Sequence, residues 1–324
     1  MTGCKPGPHE GPGYRRGKGE SGMDLRSPVP GSRFIDPAVL AKIGNLEFVA
    51  RTVVDGIING AHRSPFFGSS VDFAEHRGYV PGDDIRRVDW RVFARTDKYY
   101  IKEFEADSNA NFSVLLDVSK SMAFGARIAK LDYARTLAAC LTYLVSKQRD
   151  RVGLVAFDED IVEHVPPSAK HVDVVLHTLD RLQARRPGRL GPPLRKLAQH
   201  FGRRGIVVVI SDLYEEPDEV LDALSLIRFR GNDVILFHVL DPAEIDFTFE
   251  DASSFEDLES GEQLPVVPDA LRKQYRAMIQ EHIAALTTKS SEQRVDYNLL
   301  NTSIPLDYAL FNYMAIRDRL SRTR

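Results

Sequence analysis

Two apolar runs, each closed by an acid and a hydroxyl, constrain this chain more than any other feature. Phe112-Ser113-Val114-Leu115-Leu116 runs into Asp117-Val118-Ser119-Lys120-Ser121, and Gly205-Ile206-Val207-Val208-Val209-Ile210 runs into Ser211-Asp212-Leu213. Short apolar runs bounded in this way read as strands buried on both faces of a parallel sheet. In open α/β sheets the loops at the carboxyl ends of the strands form the ligand crevice. Asp117, Ser119, Ser121 and Asp212 are therefore expected to meet at one edge, an oxygen-rich set suited to a hard cation, Mg²⁺ or Mn²⁺. A second reading uses the same residues without a metal: Asp117 and Ser121 cap the helix that follows, and Asp212 receives backbone N–H groups.

The rest of the pattern agrees with an α/β sheet. From residue 112 onward strand-like and helix-like segments alternate, the signature of parallel strands joined by crossover helices. Helical periodicity marks 128–147, with Leu131, Ala134, Leu137, Leu141 and Leu144 on one face, then 170–183, 194–202, 217–229, 268–289 and 305–320. Strand patterns mark 151–157 and 161–165, a hairpin about Asp158-Glu159-Asp160, and later 233–239 and 295–299. The acidic stretch 243–266 is expected to form a small β excursion. The predicted fold is a doubly wound, mostly parallel sheet over 108–324, preceded by a helical and irregular extension over 34–107.

Within that extension, Asp36-Pro37 is a helix-start signal. Leu40, Ile43, Leu46, Val49, Val53 and Ile57 then recur at three- and four-residue steps, predicting one long amphipathic helix. Residues 60–107 mix arginine, aspartate and aromatic side chains. Trp90, the single tryptophan, is expected to pack against the α/β domain, with Arg77, Arg86 or Arg95 paired to Asp83, Asp84 or Asp89. Residues 1–33 are rich in Gly, Pro, Arg and Ser with almost no large apolar side chains, and are expected to be disordered. Met1 and Met23 are alternative starts between which the sequence does not choose.

Composition excludes several classes. Of the 324 residues 43% are hydrophobic and 27% charged, enough apolar content for a sizeable core. The formal net charge of −3 does not suggest nucleic acid. Two cysteines, Cys4 and Cys140, show neither metal nor disulfide spacing, which fits a reducing compartment. No run reaches the length of a membrane span, and the start has no signal-peptide core. The expected location is the cytoplasm.

The order of elements over 112–299, with DxSxS after one strand and Ser-Asp after a later one, resembles a von Willebrand factor A domain. The upstream string Arg77-x-Tyr79-x-Pro81-Gly82-Asp83-Asp84-x-Arg86-x-Val88-Asp89-Trp90, followed by Ala94-Arg95, resembles the signature of the DUF58 family. The resemblance implies a bacterial adaptor working with a MoxR-type AAA+ ATPase, and a metal site in which Ser119 and Ser121 bind directly while Asp117 and Asp212 act through water. It also implies a threonine on another loop. Here Gly188 holds that place, and no hydroxyl residue lies between 184 and 193.

Other constellations carry less. Gly82-Asp83-Asp84 reads as a turn whose acids pair with nearby arginines, and His62 and His76 lack companion ligands. Arg185, Arg186, Arg189, Arg195 and Lys196 form a local basic run, a solvated face or a surface for an anionic partner. No GxSxG elbow, P-loop or dinucleotide fingerprint is present. Two functions therefore stand: a protein-interaction module, metal-assisted or not, and a hydrolase using a cation at Asp117 and Asp212 for which no base is apparent.

Overall fold

The computed structural model describes residues 36–61, 75–79, 88, 90–103, 110–198, 205–248, 253–256, 263–266 and 268–322. The tail 1–33 and the acids Asp83, Asp84 and Asp89, with Arg86, lie outside them. In chain order the elements are α1 (Pro37–Leu40), α2 (Leu46–Ala61), β1 (Glu75–Gly78), α3 (Trp90–Thr96), β2 (Tyr100–Glu103), β3 (Asn111–Asp117), a 3-10 turn (Lys120–Ala123) and α4 (Lys130–Lys147). Next come β4 (Arg151–Phe157), β5 (Ile161–Ser168), α5 (Val172–Arg181), α6 (Gly191–Ala198), β6 (Gly205–Ser211), α7 (Pro217–Phe229) and β7 (Asp233–Leu240). The chain closes with α8 (Pro242–Asp246), β8 (Ser253–Glu256), β9 (Gln263–Val266), α9 (Pro268–Glu292), β10 (Asp296–Asn301) and α10 (Leu306–Arg322).

The main sheet runs β10-β7-β6-β3-β4-β5. All neighbours are parallel except β4 and β5, the expected hairpin. Alternation along β3 sorts its side chains between two cores, as a period of two requires. Phe112, Val114 and Leu116 face a cluster built with α2, α4, α5 and α10, while Leu115 faces one built with α6, α7 and α9. Both faces are covered, so the central strands are apolar throughout: every residue of β6 is buried. The doubly wound sheet read from the sequence is the fold observed.

The N-terminal helix departs from expectation. Instead of one long helix there are two, α1 and α2, separated at 41–45. Gly44 lies in the break, and Asn45 restarts the helix by accepting the Phe48 backbone N–H at 2.8 Å through its side chain. The apolar residues keep their phase across the break, which is why periodicity alone reads straight through it. Val49, Ala50, Val53 and Val54 on α2 are buried in the same cluster as Leu137 and Leu141 on α4. The extension thus completes the core of the α/β part.

Trp90 is also placed differently. It heads the short helix α3, remains 55% exposed, and meets Phe93 one turn later edge-on at 6.0 Å. Phe93 stacks on Tyr99 at 4.4 Å, and Tyr99 approaches Tyr79 at 6.2 Å. The tryptophan belongs to a local aromatic group between β1, α3 and β2, and its near neighbour satisfies it before the sheet can.

Candidate functional site

The sheet order puts β3 beside β6 and β6 beside β7, so three successive loops open on one carboxyl edge. Asp117 ends β3. Its Oδ1 accepts the Ser119 backbone N–H at 2.8 Å, and its Oδ2 accepts the Ser211 hydroxyl from the end of β6 at 2.6 Å. Ser211 Oγ also accepts the Leu213 backbone N–H at 3.1 Å. Leu213 sits in the left-handed region, with φ 49°, an uncommon conformation for a residue with a branched side chain. Its carbonyl accepts Nε2–H of His282 at 2.7 Å. This sharp turn keeps Asp212 buried at the strand end. Ser119 and Ser121 place their hydroxyls 3.0 Å apart, within hydrogen-bond reach. The four residues singled out from the sequence are therefore carried on two adjacent strand ends.

A fifth residue, not anticipated, governs the charge. Lys130 opens α4 and is completely buried. Its Nζ donates to Asp212 Oδ2 at 2.8 Å and to Glu244 Oε1 at 2.6 Å, and lies 4.8 Å from the centroid of the Tyr214 ring. Burial alone would pull this amine toward neutrality. Asp212 and Glu244 outweigh that effect and hold its pKa above the ordinary lysine value. A cation at a helix N-terminus also works against the helix dipole, so two carboxylates are needed to keep it there.

Glu244 is itself fixed by a capping box. Asp241 caps α8 by accepting the Ala243 N–H at 2.9 Å, while Glu244 Oε2 accepts the Asp241 N–H at 2.8 Å. The other oxygen of Asp241 accepts from Ala126 N–H and from the Thr302 hydroxyl, each at 3.1 Å. Lys130 thus joins the loops after β6 and β7 to the start of α4. Its signal in the sequence was a lysine heading the apolar stripe Ala134, Leu137, Leu141, with spacings that put it on the buried face.

The model of the family described as "Protein of unknown function DUF58" matches residues 75–285. Uncharacterized proteins of Mycobacterium tuberculosis (Rv1480) and Mycobacterium bovis (Mb1516) are 31% identical over 232 residues, 70% of this chain and 73% of theirs. The chain belongs to the DUF58 family. Its sheet is von Willebrand factor A-like. Among solved structures, BatB of Bacteroides thetaiotaomicron aligns with a TM-score of 0.45 at 16% identity, covering 65% of this chain and 99% of that one. The VWA domain of SpRpn10 aligns at 0.37 with 11% identity, covering 63% and 94%.

Gly188, where the resemblance implies a threonine, is packed directly on the DxSxS turn. The loop carrying it is zipped to the DxSxS turn: Arg186 bridges Ser119, and the Lys120 N–H donates to the Arg186 carbonyl at 2.8 Å. A Cβ added at Gly188 would lie 2.2 Å from Ser119 Cβ, inside any permitted contact. The position has no room for a side chain of any kind. Gly188→Ala is therefore expected to cost about 1–3 kcal/mol, the usual range for overpacking, read as a lowered melting temperature. An unchanged melting temperature would show that the two loops separate easily.

A divalent ion suits this donor set poorly. Mg²⁺ asks for near-octahedral oxygen ligation. The serine hydroxyl pair meets part of that need. Asp212, however, is already neutralised by an ammonium, both Asp117 oxygens accept hydrogen bonds, and the third hydroxyl is sterically barred. Among the described residues no three His, Cys, Asp or Glu side chains converge as a ligand set. Burial, and then the Asp212 charge, push the Asp117 carboxyl up to about 7.

Proposed function

We propose that this chain is a non-enzymatic interaction module whose protein partner docks on the carboxyl edge of the sheet. The observation that carries the reading is the contrast between the interior and the rim of that edge. Inside, Asp117, Asp212 and Glu244 are engaged by Ser119, Ser211 and Lys130. Outside, Arg185, Arg186, Arg189 and Tyr214 stand exposed around the Ser119–Ser121 turn. A satisfied interior beneath a cationic and aromatic rim suits recognition of an acidic protein surface better than turnover.

The partner class is a MoxR-type AAA+ ATPase, the class that the family resemblance implies. The setting is the cytoplasm. No helix among the described residues is long and apolar enough to cross a membrane, and Cys140 is a buried free thiol, in keeping with that setting. The test is capture of a purified MoxR-type ATPase by the wild type and by Arg185→Glu/Arg189→Glu, which keeps Arg186 against the buried Asp158 at 3.4 Å. Reversing two rim charges is expected to abolish capture at low salt while leaving the melting temperature within a few degrees of wild type. Undiminished capture would move the partner to another face.

A further inference from the structure

We infer that Lys130 is a built-in cation that takes over the charge-balancing work of a divalent ion at this edge, so that the DxSxS site of this chain assembles without metal. Two independent observations converge on it. The ammonium is fully buried and reaches two carboxylates on two different loops, at 2.8 Å and 2.6 Å. The acid that a cation site here would need, Asp212, is one of those two. The loop that should bring a third hydroxyl instead brings Gly188, packed so closely on Ser119 that no hydroxyl-bearing side chain fits.

The position of the ammonium points the same way. Lys130 offers one positive charge to Asp212 and Glu244. A divalent ion added beside it would place a second cation in a low-dielectric pocket next to the ammonium, where like charges repel strongly. An ion taking the place of the ammonium would have to displace a fully buried side chain, held between the acids and the Tyr214 and Phe124 rings, 4.8 Å and 5.9 Å from their centroids. Covalent attachment also makes the cation constantly present. A site ligated by metal fills and empties with ion supply; a tethered ammonium does neither.

That partner capture should therefore resist chelators rests on the functional reading above. The state of the cluster itself does not, so the two can fail separately. The experiment uses the full chain and the metals alone. Wild type in Mn²⁺ solution, followed by the electron paramagnetic resonance of the free ion, is expected to leave the free-ion signal undiminished. Its melting temperature should be the same in millimolar Mg²⁺, in Mn²⁺ and in EDTA. Lys130→Ser vacates the pocket and leaves the acids, so it should melt lower and acquire one Mn²⁺ per chain. The ion should then raise its melting temperature by roughly 4–5 °C at a hundredfold excess over the dissociation constant. Adding Asp212→Asn to that variant should remove the gain. One Mn²⁺ bound to wild type and lost in Asp117→Ala would overturn the inference, whether or not Lys130→Ser folds. A folded Lys130→Ser that binds no ion would also overturn it, because the pocket would then never have been equivalent to a cation site.

Discussion

Lys130→Met is expected to destabilise the protein by about 3–5 kcal/mol, the range seen when one partner of a buried ion pair is removed. Methionine fills much of the same volume, so the loss is not a cavity effect. It comes from leaving Asp212 and Glu244 buried without the ammonium that each now contacts directly. The argument separates charge from packing. If uncompensated carboxylates are the cause, Lys130→Met/Asp212→Asn/Glu244→Gln should recover much of the loss, since replacing a whole buried ion pair with neutral groups is often close to neutral in stability. A triple variant no more stable than the single one would mean that Lys130 acts through its shape. Chemical denaturation at neutral pH reads both outcomes.

A second large effect lies in the dependence of stability on pH, where two buried groups oppose each other. Asp117 is raised from 3.8 to about 7, by burial first and the Asp212 charge second. Its folded state therefore holds a proton that the unfolded chain has released, and its contribution is full below pH 3.8 and lost as pH rises toward 7. His238 is lowered from 6.5 to about 3, by burial first and by His282 beside it. Its contribution is full above pH 6.5 and lost as pH falls toward 3. Between about pH 4 and 6.5 the two slopes have opposite sign, each up to about 1.4 kcal/mol per pH unit.

Wild type should consequently change little across that window on account of these two groups. Asp117→Asn should leave the histidine slope, so that its stability relative to wild type climbs with rising pH. His238→Phe should leave the aspartate slope, with relative stability climbing as pH falls. Denaturation midpoints at half-unit intervals from pH 4 to 7 decide the matter. Parallel curves for all three proteins would show that neither group titrates as its surroundings require.

The strands and the meeting of Asp117 with Asp212 were readable in the sequence because parallel strands buried on both faces have no polar position to blur them. Leu115 and Leu116 face opposite cores, yet both must be apolar. The hairpin of β4 and β5 was readable for a different reason, the acidic turn Asp158-Glu159-Asp160 between two apolar runs. Lys130 was not read because its partners lie 82 and 114 positions away. Its place at the head of a buried stripe does not say which carboxylates an ammonium there would meet. Glu244 was hidden likewise: the capping box of α8 lies at the start of an acidic stretch where a further glutamate attracts no notice. Gly188 was read as a deficit, a missing hydroxyl. The deficit is a steric requirement, set by Ser119 on a loop 69 positions earlier.

The seating of α2 on α4 bears on how the molecule can be divided. Sequence patterns invite a cut near residue 107, just ahead of the first sheet strand. Val49, Ala50, Val53 and Val54 belong to the same apolar cluster as the helix that carries Lys130 at its head. A fragment beginning at the sheet would lose one wall of its interior and present bare aliphatic surface to water. The segment that looks like a preface to the fold is one of its bearing surfaces, and the edge proposed to meet a partner is held in place partly from there.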